Sequence, residues 1–453
     1  MADIAPLTPL RYDLQTIALE QVVAPPYDVI SPPEREELEA RHPHNVVRLI
    51  LPQDQGGEVG SRYAAAAATL ASMRSEGVLR RDEEPAFYRY DQTFTLGASG
   101  LTGGEAGPVR RRGFLAAVRL APFSERVVLP HERTLSGPKE DRLRLFRATR
   151  TNLSPGFMLY RDKERSLDGA LETGVLLSEF TTRDGVVHSL AKITDPEAMR
   201  AIKAKVSESA LLIADGHHRY ETAVRYAGEV AEANPGAPRD AEFRYFMAFL
   251  ANGDDPDLVV LPTHRHVHSL PSFSFDALLE KASALFEVTR LPEEAQASDM
   301  LRELALTGGA GRERGTRLVA CAPDGRAALL SLREGADLAA HPVLGAQIPE
   351  LRATDVAILH GAVLEGMCGI TREAQAAKTN LYYPQSAESS LEELRSGKGD
   401  VLFLMNATPT EQVRRVAEAG EVMPQKSTFF YPKVLTGLAI HTLEPGRSMR
   451  TIG

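Results

Sequence analysis

The chain has 453 residues, of which 43% are hydrophobic and 25% charged, an ordinary globular composition with length for about two to four domains. Its net charge of −9 argues against a general nucleic-acid coat, which carries a basic excess. No stretch approaches the roughly 20 apolar residues of a membrane span, and the start "MADIAPLTPLRYD" lacks a basic-then-apolar signal pattern. The two cysteines, Cys321 and Cys368, lie in no metal-like spacing, so reduced thiols and a cytoplasmic location are expected.

In chain order, "VVAPPYDVISPPEREELEARHPHNVVRLILP" comes first. Ser31 reads as an N-cap, with Pro32 and Pro33 in the first helical positions and Glu34, Glu36 and Glu37 at the positive end. "NVVRLIL" reads as a strand. Arg62–Glu76 is alanine-rich and helical, with Gly77 as its stop. "AFYRYDQTFTL" and "RRRGFLAAVRL" read as paired strands. The glycine-rich connection between them is long for a hairpin loop and is expected to be mobile. In "LPHERTLSGPKEDRLRLFRATRTNLSPGFMLY", Ser136 or Gly137 caps a helix ending near Thr149–Asn152, before the strand "GFMLYRD".

A helix near Pro196–Ser207 leads to the strand "ALLIAD", then to a helix beginning near Arg219. "FRYFMAFLAN" and "LVVLPTHRHV" read as two buried strands. Beyond Ser272 a helix, a strand and a hairpin around Pro323-Asp324-Gly325 form a smaller insert. "GKGDVLFLMNATPTEQVRRVAEAG" reads as a strand and a capped helix. The expected architecture is α/β with mixed sheets: an N-terminal segment (1–85), a central region (86–271), an inserted subdomain (272–335) and a C-terminal segment (336–453) that returns to complete the pocket.

The most informative stretch is "IADGHHRYETA", Ile213 to Ala223. A strand ending at Asp215, then Gly216, then a helix puts backbone N–H groups at a helix mouth, an anion site. Gly216 permits close approach or a positive φ. Arg219 can fork onto a phosphate, with Tyr220 beside it. His217 or His218 can donate to a phosphoryl oxygen or move a proton near neutral pH. Asp215 can orient a histidine or hold a metal ion. The structural alternative is a helix start whose histidines are satisfied by neighbours.

In "HERTLSGPKEDR", Glu132 is the candidate general base for a substrate hydroxyl, and Lys139 and Arg142 are candidate phosphate ligands; the alternative is a solvated helix start. The proline-fixed loop "APPYDV" presents Tyr27 and Asp28 for a substrate amine or a metal, or forms a plain turn. Arg48 is a candidate carboxylate or phosphate contact. In "PTHRHVH", His264, His266 and His268 would share a strand face, but a spacing of about 7 Å is too wide for one ion; His264 is the one expected to reach a pocket. "MPQKSTFFYPK" lacks the glycines of a phosphate loop, yet Lys426, Ser427 and Thr428 can present an amine and two hydroxyls to a phosphate.

"IADGHHRYETA" resembles the signature of the bacterial and archaeal family called domain of unknown function 1015. The resemblance extends in order through "PPYDVI", "HERT" with "KEDR", "SPGFMLY", "LPTHR" and "MPQKSTFFYPK", from residue 25 to 433. The core of Gly216, His218 and Arg219 is also similar to the nucleotide-binding signature of the ParB/sulfiredoxin-like fold. Among its members, the free-serine kinases carry a similar Asp-Gly-His-x-Arg turn. Sulfiredoxins need a cysteine where His217 stands, and partition proteins carry a basic helix-turn-helix domain not recognisable in this sequence.

The resemblance implies a ParB/sulfiredoxin-like central region and a kinase that uses ATP or ADP with Mg²⁺ to phosphorylate a small hydroxylated metabolite, serine being the analogous acceptor. A nucleotide-dependent switch that turns over CTP or ATP slowly is a second reading. A phosphoester hydrolase using both histidines is a third. Nucleotide and a small substrate are the expected partners, with neither nucleic acid nor membrane.

Overall fold

The computed structural model describes residues 1–54, 56, 58–96, 107–134, 136–293, 295–305 and 315–449. The glycine-rich connection expected to be mobile lies, over 97–106, outside the described residues.

The fold is mixed α/β and is built on a nine-stranded sheet. Its strands are β1 (Ile4–Ala5), β2 (Phe87–Thr95), β3 (Pro108–Arg119), β4 (Val128–Leu129), β5 (Gly156–Tyr160), β6 (Val175–Thr181), β7 (Val187–Ile193), β8 (Leu211–Asp215) and β9 (Tyr245–Asn252). The order is β4-β8-β5-β9-β3-β2-β7-β6, with β1 also paired to β3. Two neighbouring pairs, β8 with β4 and β9 with β5, are parallel and the others antiparallel.

The period of two along β3 sorts its side chains. Phe114, Ala116 and Val118 enter one core with the helices α1 (Ser136–Thr149), α2 (Pro196–Val206) and α3 (His217–Ala233). Leu115 and Ala117 enter the other, with the N-terminal segment. Gly113 is demanded at this crossing, because a Cβ there would lie 2.4 Å from the Leu250 carbonyl oxygen.

A second sheet of six strands stands beside the first: β10 (Arg265–Val267), β11 (Phe286–Arg290), β12 (Arg317–Cys321), β13 (Ala327–Leu332), β14 (Leu381–Tyr382) and β15 (Val401–Met405). β12 and β13 form the expected hairpin. The sheet does not close within 272–335: β12 pairs with β15 from the C-terminal segment, and β15 with β10 from before the insert.

At Pro32–Arg41 the expected cap is present: the Ser31 hydroxyl accepts from Glu34 N–H, and the Glu34 carboxylate accepts from Ser31 N–H. Two expectations are corrected. "NVVRLIL" is not a strand but a helical turn, Val47–Ile50. Asn45 fixes its start, accepting from Val47 N–H at 3.0 Å and donating to the Gln21 carbonyl at 2.9 Å. The run is apolar because Val46, Val47, Leu49 and Ile50 are all buried, and a short apolar run has no period to separate helix from strand. "LVVLPTHRHV" is not one strand. It breaks at Pro262, Val259–Leu261 pairing with Phe429–Tyr431 and β10 joining the second sheet. Among the described residues, no helix is long and apolar enough to cross a membrane.

Candidate functional site

β8 is a run of buried apolar residues that ends at Asp215. Gly216 turns the chain in the left-handed region, φ 92°, and α3 begins at once with His217. A Cβ on Gly216 would lie 3.0 Å from the Arg219 guanidinium, so both the φ and the packing select glycine. No side chain caps α3 at Gly216. The N–H groups of His217, His218 and Arg219 belong to a first turn that has no intrahelical acceptors and carries the positive end of the helix dipole.

Asp215 is the electrostatic anchor of the turn. Arg219 Nη2 donates to its Oδ2 at 2.6 Å and Lys433 Nζ to its Oδ1 at 3.1 Å. Burial pushes this carboxyl up, but Lys433 and Arg219 more than offset it and hold the group below the usual carboxylate range. Both oxygens are therefore engaged, by Arg219 and Lys433. Arg219 is buried, and its Nη1 donates to the Pro155 carbonyl. Through these contacts it braces the turn.

Behind the turn lies a wall of neutral groups. His131 is fully buried, and burial pushes it down to about 4. Its Nδ1 lies 2.6 Å from the Ile213 carbonyl, which only accepts, so Nδ1 carries the proton. Nε2 then accepts from the Thr428 hydroxyl at 2.9 Å. His217 Nε2 accepts from His131 N–H at 3.2 Å, with the two rings edge-on, 4.6 Å apart. Burial, then His131, holds His217 well below its ordinary value. His217 is thus a buried acceptor and not a proton shuttle, and the Thr428 hydroxyl is spent on His131.

Three further candidate residues are likewise engaged within the protein. Ser427 is buried and donates to the Pro424 carbonyl at 2.5 Å. The Tyr220 hydroxyl donates to the Ala121 carbonyl at 2.8 Å and accepts from Ala121 N–H at 3.1 Å, within a core of Phe123 and Phe246. Arg142 is buried, donates to the Ile50 carbonyl and Asp141, and stacks 4.1 Å over the Tyr27 ring. That stacking accounts for Tyr27 as well.

The groups at the open side of the turn are different. His218 is partly exposed and is lowered by burial, with Asp28 and Glu221 opposing and Lys139 and Lys426 adding to the shift. Those four charges therefore all act on it. Lys139 Nζ donates to Glu221 at 2.9 Å and to Thr134 at 3.0 Å. Lys426 is exposed and in the left-handed region, φ 58°; its carbonyl accepts from Arg265 Nη2 at 3.1 Å. Burial raises the Glu132 carboxyl, while Lys426 pulls the other way. Asp28 stands exposed at its loop tip.

Two expected contacts lie elsewhere. Arg48 sits on the Val47–Ile50 turn and donates to the Glu39 carbonyl at 3.0 Å. His264 is buried, is pushed down to about 3 by burial, and accepts from Met405 N–H at 3.3 Å; it is a core residue. Its neighbours disperse, His266 to Tyr382 and His268 to Ser269. No group of three His, Cys, Asp or Glu able to hold a metal occurs among the described residues.

Lys433, Glu221 and the buried Arg265 escaped the sequence reading. The spacing of His218 and Glu221, three apart on a helix, was a usable signal. Lys433 carries no local signal, because its partner Asp215 is remote in sequence, and Arg265 reaches the equally remote His360 and Lys426.

Among solved structures, the chain is similar to a conserved hypothetical protein from Pyrococcus furiosus, at 16% identity over 68% of this chain and 90% of that one, with a TM-score of 0.31. It is similar to a free serine kinase in complex with AMP, at 14% identity over 68% and 86%, TM-score 0.33. It is also similar to SbnI with a C-terminal truncation from Staphylococcus aureus, at 10% identity over 71% and 85%, TM-score 0.32. No curated protein matches the chain. The family model described as a protein of unknown function, DUF1015, matches residues 4–356, and the chain belongs to that family.

Proposed function

We propose that this protein binds the phosphates of a nucleotide, ATP or ADP, at the mouth of α3 and transfers a phosphoryl group to a hydroxyl of a small metabolite. One observation carries the reading: the charges of Lys139 and Lys426 both act on His218, on the first turn of a helix that no side chain caps, and the Lys426 charge also acts on Glu132. An anion is recognised there by helix N–H groups and two ammonium groups, while a carboxyl of raised basicity stands beside it. The resemblance of the Asp-Gly-His-x-Arg turn to that of the free-serine kinases supports the same chemistry.

In the transfer, the Glu132 carboxylate takes the acceptor hydroxyl's proton as its oxygen bonds to phosphorus. The phosphorus–oxygen bond to the remaining nucleotide breaks, and Lys139 and Lys426 offset the charge left on it. His218, neutral at pH 7, donates an N–H to a phosphoryl oxygen. The exposed Asp28 is the carboxylate that would hold Mg²⁺ on the nucleotide's phosphates, where the ion would supply further charge neutralisation. The hydrolase reading with paired histidines is not favoured, because His217 is buried and accepts from His131.

Glu132→Gln tests the reading. The variant binds ADP with the parent's affinity, and transfer falls by about 100-fold or more. Transfer at the parent rate removes Glu132 from the chemistry.

A further inference from the structure

Beside the six-stranded sheet lies a cavity of about 350 Å³, a volume within the range of pockets for drug-sized ligands and generous for a three-carbon amino acid. Its walls include His360, Gly361 and Glu365. All three stand on Leu359–Met367, which winds as a π-helix, a conformation that is rare and frequent at functional sites. Several wall residues, from His360 to Gln425, lie beyond the residues matched by the family model.

The cavity adjoins the candidate base. Glu132 is bridged to Met423, and Met423 and Arg133 line the cavity. The Glu132 charge acts on the Tyr383 phenol, also in the wall. Glu132 is thus one residue from the cavity wall at Arg133, and the Lys426 charge acts on it.

The chemistry of the walls is asymmetric. Two acceptor atoms of lining residues, Gln347 Oε1 and Glu365 Oε2, are buried and take part in no hydrogen bond; such acceptors are costly unless a donor reaches them. Arg372 Nε lies 3.4 Å from that same Glu365 Oε2, an ion pair without a hydrogen bond, and Arg372 is 54% exposed against 28% for Glu365, with Arg133 73% exposed. The two arginine side chains are thus more exposed than the Glu365 carboxylate. The nearest buried cation, Arg265, has its donors directed to His360, Thr263 and Lys426.

We propose that this cavity binds a hydroxylated cationic amine of about hexosamine size, its ammonium directed to Glu365 and Gln347 and a hydroxyl directed to Glu132. The binding stands on the cavity alone; the role of that molecule as phosphoryl acceptor rests on the phosphotransfer reading above.

The test uses the full chain, with glucosamine, galactosamine and mannosamine as probes and glucose as the amine-free control. Thermal shift and calorimetry are run on the parent, on Glu365→Gln, and on Ala376→Phe, which places a ring into the cavity from an exposed helical position. At least one hexosamine raises the melting temperature and glucose does not, and each variant weakens that binding by about tenfold or more. The proposal is overturned if no hexosamine binds, if glucose binds equally, or if Ala376→Phe binds like the parent. ADP is titrated into the same samples. Hexosamine binding without ADP binding sinks the phosphotransfer reading and keeps the pocket; ADP binding without hexosamine binding does the reverse.

Discussion

The ammonium of Lys433 lies 3.1 Å from Asp215 Oδ1, joining two residues 218 positions apart in the chain. The signature turn is thus closed by the far end of the protein. Lys433 also lies 4.4 Å over the Phe429 ring, and its carbonyl accepts from Gln92 at 2.9 Å, so it is held by packing as well as by charge. Lys433→Ala leaves Asp215 with one partner in a largely buried place. A loss of about 1–3 kcal/mol is expected by urea denaturation, together with weaker ADP binding. Parent stability would show that the pair is not holding the turn.

Arg219→Ala separates a structural from a ligand-binding guanidinium. With its donors on Asp215 and Pro155, its removal lowers the melting temperature and costs about 3 kcal/mol or more, because a buried partner is left behind. A variant that keeps full stability but loses nucleotide affinity would restore Arg219 as a phosphate ligand.

Tyr220→Phe removes a hydroxyl that both donates to and accepts from Ala121. Stability falls by about 1–2 kcal/mol, while ADP affinity measured by calorimetry stays at the parent value. A changed affinity would place Tyr220 at the ligand.

Acid weakens the fold through its buried neutral histidines. Burial pushes His131 to about 4 and both His264 and His360 to about 3, against about 6.5 when unfolded. Between those values the unfolded chain binds more protons, so stability is complete above pH 6.5 and is lost as pH falls. Each histidine accounts for about 2 kcal/mol by pH 5. The urea midpoint at pH 5 therefore lies clearly below that at pH 7; equal midpoints would contradict the assigned neutral states.

Much of the local scaffold was legible in the sequence because its causes are local. Ser31 with Glu34, the β12–β13 hairpin and the strand–glycine–helix turn at 215–217 follow from caps, turn residues and periodicity. The side-chain roles were less legible. An arginine in a signature can face a ligand or brace the turn that faces it, and only the fold shows that Arg219 and Arg142 brace while Lys426 is exposed and Lys139 is paired with Glu221. The same holds for the histidine pair, where the wall of His131 and Thr428 makes His217 an interior acceptor and leaves His218 outside. Val47–Ile50 misled because an apolar run buried on every side loses its period. Lys433 was hidden because tertiary closure has no signature in the neighbouring residues.

Calorimetric titration of ADP into the parent protein and into the double variant His218→Ala/Lys426→Ala tests the central claim most directly. Neither side chain is buried in the core, so the variant keeps the parent melting temperature. The account predicts that the parent binds ADP and that the variant, still folded, binds it at least about 100-fold more weakly. Parent-like ADP affinity in the folded variant, or no ADP binding by the parent, would contradict the assignment of a phosphate site to the mouth of this helix.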